Sequence, residues 1–339
     1  MKSYIFVIGR NHELSILELI SYFQKNSINY EIKARDKNLL FINLDKEINL
    51  KELAGTIKIA NLIENLDNLN LKDKITYYTN STNIKKELKK IFKREGVKAT
   101  FRENLESTRP LDLEILEINH KIALVTQISN PKEYRYRDES RPRFDNKTVI
   151  SIRLAKILIN ISQANKEILD PFCGCGTILQ EALLLNLDAI GIDKKIRDSR
   201  LNLEWLSKKF KIKNKYKLIE GDATRISSYI EKIECVVTEP YLGPYFKEYP
   251  PEQEARRVML NLQNLYYKTL REISKIIEKR IVIIVPIIKT RSSLVKFDFL
   301  DIVNKNNLKV CSFKAIKIPV VYKTRNNIIF REIWILEKN

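Results

Sequence analysis

The stretch Asp170-Pro171-Phe172-Cys173-Gly174-Cys175-Gly176-Thr177 follows directly on an apolar run, Glu167 to Leu169, and opens a helical pattern near Ile178. A strand that ends in an acid, turns through two glycines and enters a helix brings free backbone N–H groups against a small ligand. It also constrains the fold, because a strand feeding a helix in this way belongs to a parallel sheet with crossover helices.

Three cofactor classes compete for such a loop. A phosphate loop needs a Lys followed by Ser or Thr after its last glycine, and here Gly176 is followed directly by Thr177. A dinucleotide fingerprint needs a third glycine where this chain has Leu179. Asp170 repels a pyrophosphate and attracts the ammonium of a methionine moiety. S-adenosylmethionine satisfies all three facts, with Asp170, Phe172, Gly174, Gly176 and Thr177 as its expected contacts. A metal reading is disfavoured: Cys173, Cys175, Cys235 and Cys311 form no CxxC pair, and His12 and His120 are the only histidines.

The next strand ends in Gly191-Ile192-Asp193, about 20 residues after the loop, where a carboxylate would accept from a ribose diol. A third ends in Gly221-Asp222-Ala223, and Asp222 has two readings, an acceptor for an adenine amine or a helix N-cap. The fourth leads into Glu239-Pro240-Tyr241-Leu242-Gly243-Pro244-Tyr245. Ligands of open parallel sheets sit at the carboxyl ends of the strands, so Glu239 and Tyr241 should share a crevice with Asp170. Glu239 and the Pro240 carbonyl would accept the hydrogens of an exocyclic amine and aim its lone pair at a methyl group. Tyr241 or Tyr245 would stack on an extruded base, or pack the loop.

Strands are expected at 167–169, 189–192, 217–219, 235–238 and 281–285, with helices starting near Ile178, Ile196, Pro251 and Arg291, the order of a doubly wound sheet. The tail adds Leu308 to Ile316, Val320 to Tyr322 and Ile328 to Leu336, the last two joined by a turn at Arg325-Asn326-Asn327. Residues 1–130 read as a separate α+β module. It has strands at Tyr4 to Ile8, Tyr30 to Ala34 and Leu39 to Leu44, and a helix from Leu14 to Gln24. A second helix has Ile84, Leu88, Ile91 and Phe92 on one face. A hairpin, Leu113 to Ile118 with Lys121 to Ile128, turns at Asn119-His120. The polar, arginine-rich residues 131–147 between the module and the remainder (148–339) read as a linker.

Lys and Arg number 61 against 42 acids, a net charge of +19. This suits a polyanionic partner, although a chain so rich in Lys, Ile and Asn also reflects biased composition. The basic excess is larger after residue 147 than before it, so a nucleic acid would touch both parts. Lys89 and Lys93, on the charged face of the second helix, together with Arg137, Arg141 and Arg143, are the expected RNA contacts; a solvated lysine face is the alternative for the helix. No apolar run approaches the ~20 residues of a membrane span. Met1 to Arg10 lacks the features of a signal peptide, so a cytoplasmic location is expected.

Asp170 to Thr177 followed by Glu239-Pro240-Tyr241 resembles the motifs of the amino-methyltransferases. Gly9-Arg10-Asn11-His12-Glu13-Leu14-Ser15, Arg137-Asp138-Glu139-Ser140-Arg141-Pro142-Arg143-Phe144-Asp145 and Leu154-Ala155-Lys156 extend the likeness over nearly the full length. The chain resembles the archaeal and eukaryotic THUMP-containing tRNA guanosine N2-methyltransferases. The resemblance implies an α/β chain: a Rossmann-fold (class I) methyltransferase domain, its sheet mainly parallel and doubly wound, preceded by a THUMP-like tRNA-binding module. It implies methyl transfer from S-adenosylmethionine to N2 of guanosine 10, with tRNA as partner. Where that family has Asp or Asn, then Pro-Pro and an aromatic residue, this chain has Glu239, Pro240, Tyr241 and Leu242. Methylation of adenine or cytosine amino groups in DNA, and a non-catalytic RNA-binding relative, are the alternatives.

Overall fold

The computed structural model describes residues 1–67, 69–103, 111–143, 150–314, 316–323 and 328–339. The chain forms two compact units. The first comprises Met1–His12, Ile28–Lys51 and Thr56–Ser129, and the second Glu13–Ser27, Glu52–Gly55 and Asn130–Asn339.

The first unit is built on one eight-stranded sheet of β1 (Lys2–Ile8), β2 (Tyr30–Asp36), β3 (Leu39–Leu44), β4 (Thr56–Ile63), β5 (Lys74–Thr79), β6 (Lys98–Phe101), β7 (Leu113–Ile118) and β8 (Lys121–Ile128). The spatial order is β2-β3-β1-β4-β8-β7-β5-β6. Only β5 pairs in parallel, with β6 and β7. The β7–β8 hairpin has the expected bounds, and both its turn residues, Asn119 and His120, have positive φ (50° and 61°), as a two-residue turn of primed type requires. His120 is therefore a turn residue. Ser81 caps α2 (Thr82–Arg94) by accepting from the Ile84 N–H. Ile84, Leu88, Ile91 and Phe92 of this helix bury against Ile75, Tyr77 and Ile115 of the sheet.

The second unit contains α1 (His12–Lys25) from its second residue onward. Glu18 of α1 is fully buried and accepts from the Ala54 and Gly55 N–H groups and from Asn160 Nδ2. These bonds compensate a carboxylate that burial pushes toward its protonated form. The segment expected to be a linker is α3 (Pro131–Ser140), capped by Asn130. It escaped the apolar pattern because a polar side chain anchors it. Arg137, 3% exposed, pairs with buried Glu181 at 2.9 Å and with Glu133 at 2.8 Å. Residues 144–147 of that segment lie outside the described residues.

Then follow α4 (Ile152–Ser162), β9 (Glu167–Asp170), α5 (Thr177–Leu184), β10 (Asp188–Asp193), α6 (Arg197–Lys209), β11 (Tyr216–Glu220), β12 (Ile233–Thr238), α7 (Glu252–Ile276), β13 (Ile277–Lys289), β14 (Leu294–Val295), α8 (Phe299–Lys305), β15 (Leu308–Val310), β16 (Val320–Tyr322) and β17 (Ile329–Lys338). The main path of the sheet is β11-β10-β9-β12-β13-β17-β15. Strands β9 to β13 are parallel to one another, and β17 is antiparallel. Residues of β12 and β13 are buried on both sides, as a covered parallel sheet requires. Two expectations are corrected. No helix starts at Arg291, because Thr290 and Ser293 close a hydrogen-bonded turn there; the helix begins at Phe299, capped by Asp298. The strand begun at Leu308 ends at Val310 rather than reaching Ile316. The expected turn at Arg325 to Asn327 lies outside the described residues. Among the described residues, no helix is long and apolar enough to cross a membrane.

Candidate active site

The chain runs from β9 outward through β10 to β11, then returns to β12 on the other side of β9. This reversal falls between β9 and β12, and the carboxyl ends of strands at such a reversal are where doubly wound sheets bind ligands. Asp170 ends β9 and Thr238 ends β12.

The two strand ends are bonded to each other. Thr238 Oγ1 donates to Asp170 Oδ1 at 2.7 Å, and the Phe172 N–H donates to the same oxygen at 3.1 Å. Asp170 is 2% exposed, and burial pushes its carboxyl up to about 7 against the pull of these two bonds, with Asp193 and Glu239 adding repulsion. A buried acid at this pH border is suited to a cationic ligand, which would restore the ionised form.

The loop after Asp170 is held from three directions. Gly174 (φ 49°) donates its N–H to Asp193 Oδ2 at 2.9 Å, tying the turn to the end of β10. The other Asp193 oxygen accepts from the Lys195 N–H at 3.1 Å, which fixes the carboxylate beside the loop. Gly176 (φ 80°) precedes α5, and a Cβ there would lie 3.2 Å from Ser199 Cβ, so this glycine answers both a backbone and a space requirement. On the third side Arg141, 4% exposed, donates from Nη1 to Thr177 Oγ1 at 2.8 Å and pairs with Asp138 at 3.0 Å. Asn202, fully buried, donates to the Cys175 and Arg143 carbonyls at 2.9 and 2.8 Å and accepts from the Arg143 N–H. Burial raises the Cys173 thiol far above its ordinary range, so it packs the loop rather than offering a thiolate.

Asp222 caps the short helical turn Ala223–Ser228 by accepting from the Thr224 N–H and hydroxyl, and the backbone bond leads in holding its carboxyl below the ordinary value. The N-cap reading of Asp222 is therefore realised, with Ala223 buried beside it.

Glu239 follows Thr238 and turns toward β17, where Arg331 Nε donates to Glu239 Oε1 at 2.5 Å. Both side chains are largely buried. Burial pushes the Glu239 carboxyl up, and Arg331 pulls it back. Pro240 is buried, whereas Tyr241 and Tyr245 are exposed. Tyr266 of α7, 1% exposed, donates to the Ile284 carbonyl at 3.1 Å and reaches the Tyr241 carbonyl at 3.5 Å, so the loop's backbone rests on a buried hydroxyl.

Asp170, Phe172, Gly174, Gly176, Thr177 and Asp193 thus lie at or just beyond the carboxyl ends of β9 and β10, with Glu239 next in sequence to Thr238. Arg137 and Arg141, expected to face RNA, are instead turned into the second unit and bonded there, so neither guanidinium is presented to a phosphate. Arg143 keeps a half-exposed side chain paired with Asp198 at 3.5 Å. Lys89 and Lys93 are exposed on α2 in the first unit. Thr238, Asn202, Tyr266 and Arg331 went unread in the sequence; only Thr238, next to Glu239, carries any local signal.

Two family models cover half of the chain or more: one described as DNA methylase, over residues 4–203, and one described as RMKL-like, methyltransferase domain, over residues 139–310. The tRNA (guanine(10)-N2)-dimethyltransferase of Pyrococcus abyssi is 28% identical over 184 residues, 53% of this chain and 49% of that protein. That of Methanocaldococcus jannaschii is 28% identical over 188 residues, 51% of this chain and 50% of that protein. The chain thus spans about half the length of the curated relatives it matches. The structure of TrmN from Thermus thermophilus superposes with a TM-score of 0.54 at 13% identity, over 99% of this chain and 100% of that one, a likeness of fold.

Proposed function

The chain belongs to the methyltransferase families described by those two models, the DNA methylases and the RMKL-like methyltransferase domain, and from that premise we propose that it methylates the exocyclic N2 amine of a guanosine in tRNA. The second unit is a Rossmann-fold methyltransferase domain. The observation that supports the reading is the Thr238–Asp170 bond of 2.7 Å, which ties together the strand ends that lead into the glycine loop and the Glu239-Pro240-Tyr241 loop.

S-adenosylmethionine, the cofactor we assign, supplies an electrophilic methyl group when bound. The donor set fits it. Asp170 would take the methionine ammonium, the Gly174 to Gly176 backbone would line the amino-acid moiety, and Asp193 would accept from the ribose. Ala223, beside the capping Asp222, would border the adenine.

When the amine takes the methyl group, the methyl–sulfur bond of the cofactor would break and a neutral thioether would leave, and Glu239 would accept the proton that the amine gives up. Glu239 and the Pro240 carbonyl hold the amine hydrogens so that the lone pair faces the methyl group, and this positioning supplies most of the acceleration. An ionised carboxylate can only accept hydrogen bonds. It suits guanine, whose N2 amine adjoins an N1–H, better than adenine or cytosine, whose amines adjoin an acceptor nitrogen. Exposed Tyr241 offers a ring on which an extruded base can stack. The names of the curated relatives support tRNA as substrate and guanosine 10 as the position. We assign the first unit, as a THUMP-like module, to gripping the RNA.

The match to the DNA methylase model favours a second reading, amino methylation in DNA. Incubation with labelled cofactor and undermethylated tRNA, with duplex DNA as competitor, separates the two. Digestion and mass spectrometry should find N2-methylguanosine. Absence of label from RNA ends the reading.

A further inference from the structure

Glu239 follows Thr238 directly at the end of β12, and its carboxylate meets Arg331, 92 residues further along the chain. The pair is nearly closed to water, with side-chain exposures of 8% for Glu239 and 14% for Arg331. Arg331 lies on the antiparallel strand β17, opposite Pro286 of β13, so its side chain crosses toward the crevice from outside the parallel part of the sheet.

We propose that Arg331 is a positioning residue for the methyl transfer, which orients Glu239 through Oε1 and keeps it an ionised acceptor inside a buried site. The proposal rests on the reading of Glu239 as the amine acceptor. Without a counter-charge a buried carboxyl takes up a proton, which turns one oxygen into a donor and leaves the group unable to take the proton that the amine gives up. Three groups act on Glu239 from the elements packed around it. Asp170 at the end of β9 repels its charge, the buried Tyr266 hydroxyl of α7 stays neutral beside it, and Arg331 of β17 is the cation that attracts it among the described residues. The arginine thereby pulls against the burial and the neighbouring acid, which still leave the carboxyl above its ordinary value. An Asp at position 239 would be one methylene short of this partner.

The test compares the wild-type protein with Arg331→Met and Arg331→Lys. An opposite charge at this distance lowers a carboxyl by about 1–3 units, so Arg331→Met should move the acid limb of the kcat profile up by about that much. At neutral pH kcat should fall at least tenfold and recover in part at pH 9, with cofactor affinity by calorimetry unchanged. Arg331→Lys should keep the wild-type profile. An unchanged profile in Arg331→Met overturns the proposal.

A second measurement needs neither an Arg331 variant nor activity. In protein labelled with 13C at glutamate carboxyls, the Glu239 signal, assigned by its loss in Glu239→Gln, should report an ionised carboxylate at pH 7. A carboxyl still protonated at pH 7 overturns the proposal even if Arg331→Met does not fold. If the wild type methylates no RNA while the carboxylate is ionised and the calorimetry is normal, the functional reading fails and the ion pair stands.

Discussion

Thr238 and Asp170 end neighbouring parallel strands, and the Thr238 hydroxyl donates to the Asp170 carboxyl at 2.7 Å. The acid has a second donor in the Phe172 N–H, yet burial still carries it to about 7. An aspartate in an unfolded chain ionises near 4. The fold therefore binds the Asp170 proton more tightly than the unfolded chain does, and this residue's contribution to stability falls as pH rises from about 4 to about 7.

Binding of a cationic cofactor favours the ionised carboxylate and so expels that proton. Below pH 7 the affinity for S-adenosylmethionine should rise with pH and level off above it. Calorimetry at pH 6 in two buffers of different protonation enthalpy should show nearly one proton released. Asp170→Asn should bind more weakly and release none. Thr238→Val, which removes one of the two donors, should move the levelling point to higher pH. Zero proton exchange in the wild type would show that Asp170 does not meet the ligand's charge.

Gly191 lies opposite Asp170 in the β9–β10 register. A Cβ on it would sit 2.5 Å from Leu179 Cδ1 and 2.9 Å from Cys173 Sγ, and both of those side chains are buried. Gly191→Ala should overpack this layer at a cost of about 1–3 kcal/mol. It should also displace the loop through Cys173, so the melting temperature and the cofactor affinity should fall together. A variant with lowered stability and unchanged affinity would place the loop's rigidity elsewhere.

Where burial follows hydrophobic alternation, the fold was readable in the sequence. The buried face of α2, the β7–β8 hairpin and the ends of β9, β10 and β12 are examples. The reading failed where polar side chains do the burying. No apolar period marks α3, because Arg137 and Glu181 replace the usual aliphatic contact with an ion pair. Part of the candidate site was equally hidden. Asp170 and Glu239 announce themselves by their motifs, but Arg331 meets Glu239 only through the pairing of β17 with β13, a relation between distant segments.

Arg141 follows from the same correction. Its guanidinium, closed to solvent, donates to Thr177 and Asp138. Arg141→Met should lose a charge-assisted bond worth about 1.5–3 kcal/mol and loosen the start of α5. The expected result is a lower melting temperature and about tenfold weaker cofactor binding, equivalent to about 1.4 kcal/mol. The salt dependence of tRNA binding should not change, because a buried arginine displaces no counterions. A reduced salt slope in this variant would return Arg141 to the RNA-facing role.

Lys89 and Lys93 offer the opposite case. They lie one turn apart on the exposed face of α2, while Leu88, Ile91 and Phe92 hold that helix to its sheet, so neutralising them should leave the fold intact. Each lysine that meets a phosphate releases condensed counterions, and each lost contact lowers the slope of log K against log salt by about 0.7–0.9. Lys89→Gln combined with Lys93→Gln should reduce the slope for tRNA by about 1.4–1.8. Affinity should fall most at low salt, and kcat at saturating tRNA should be unchanged. Filter binding between 50 and 200 mM salt measures the slope directly. A slope equal to that of the wild type would identify this face as solvated surface and move the RNA contact off α2.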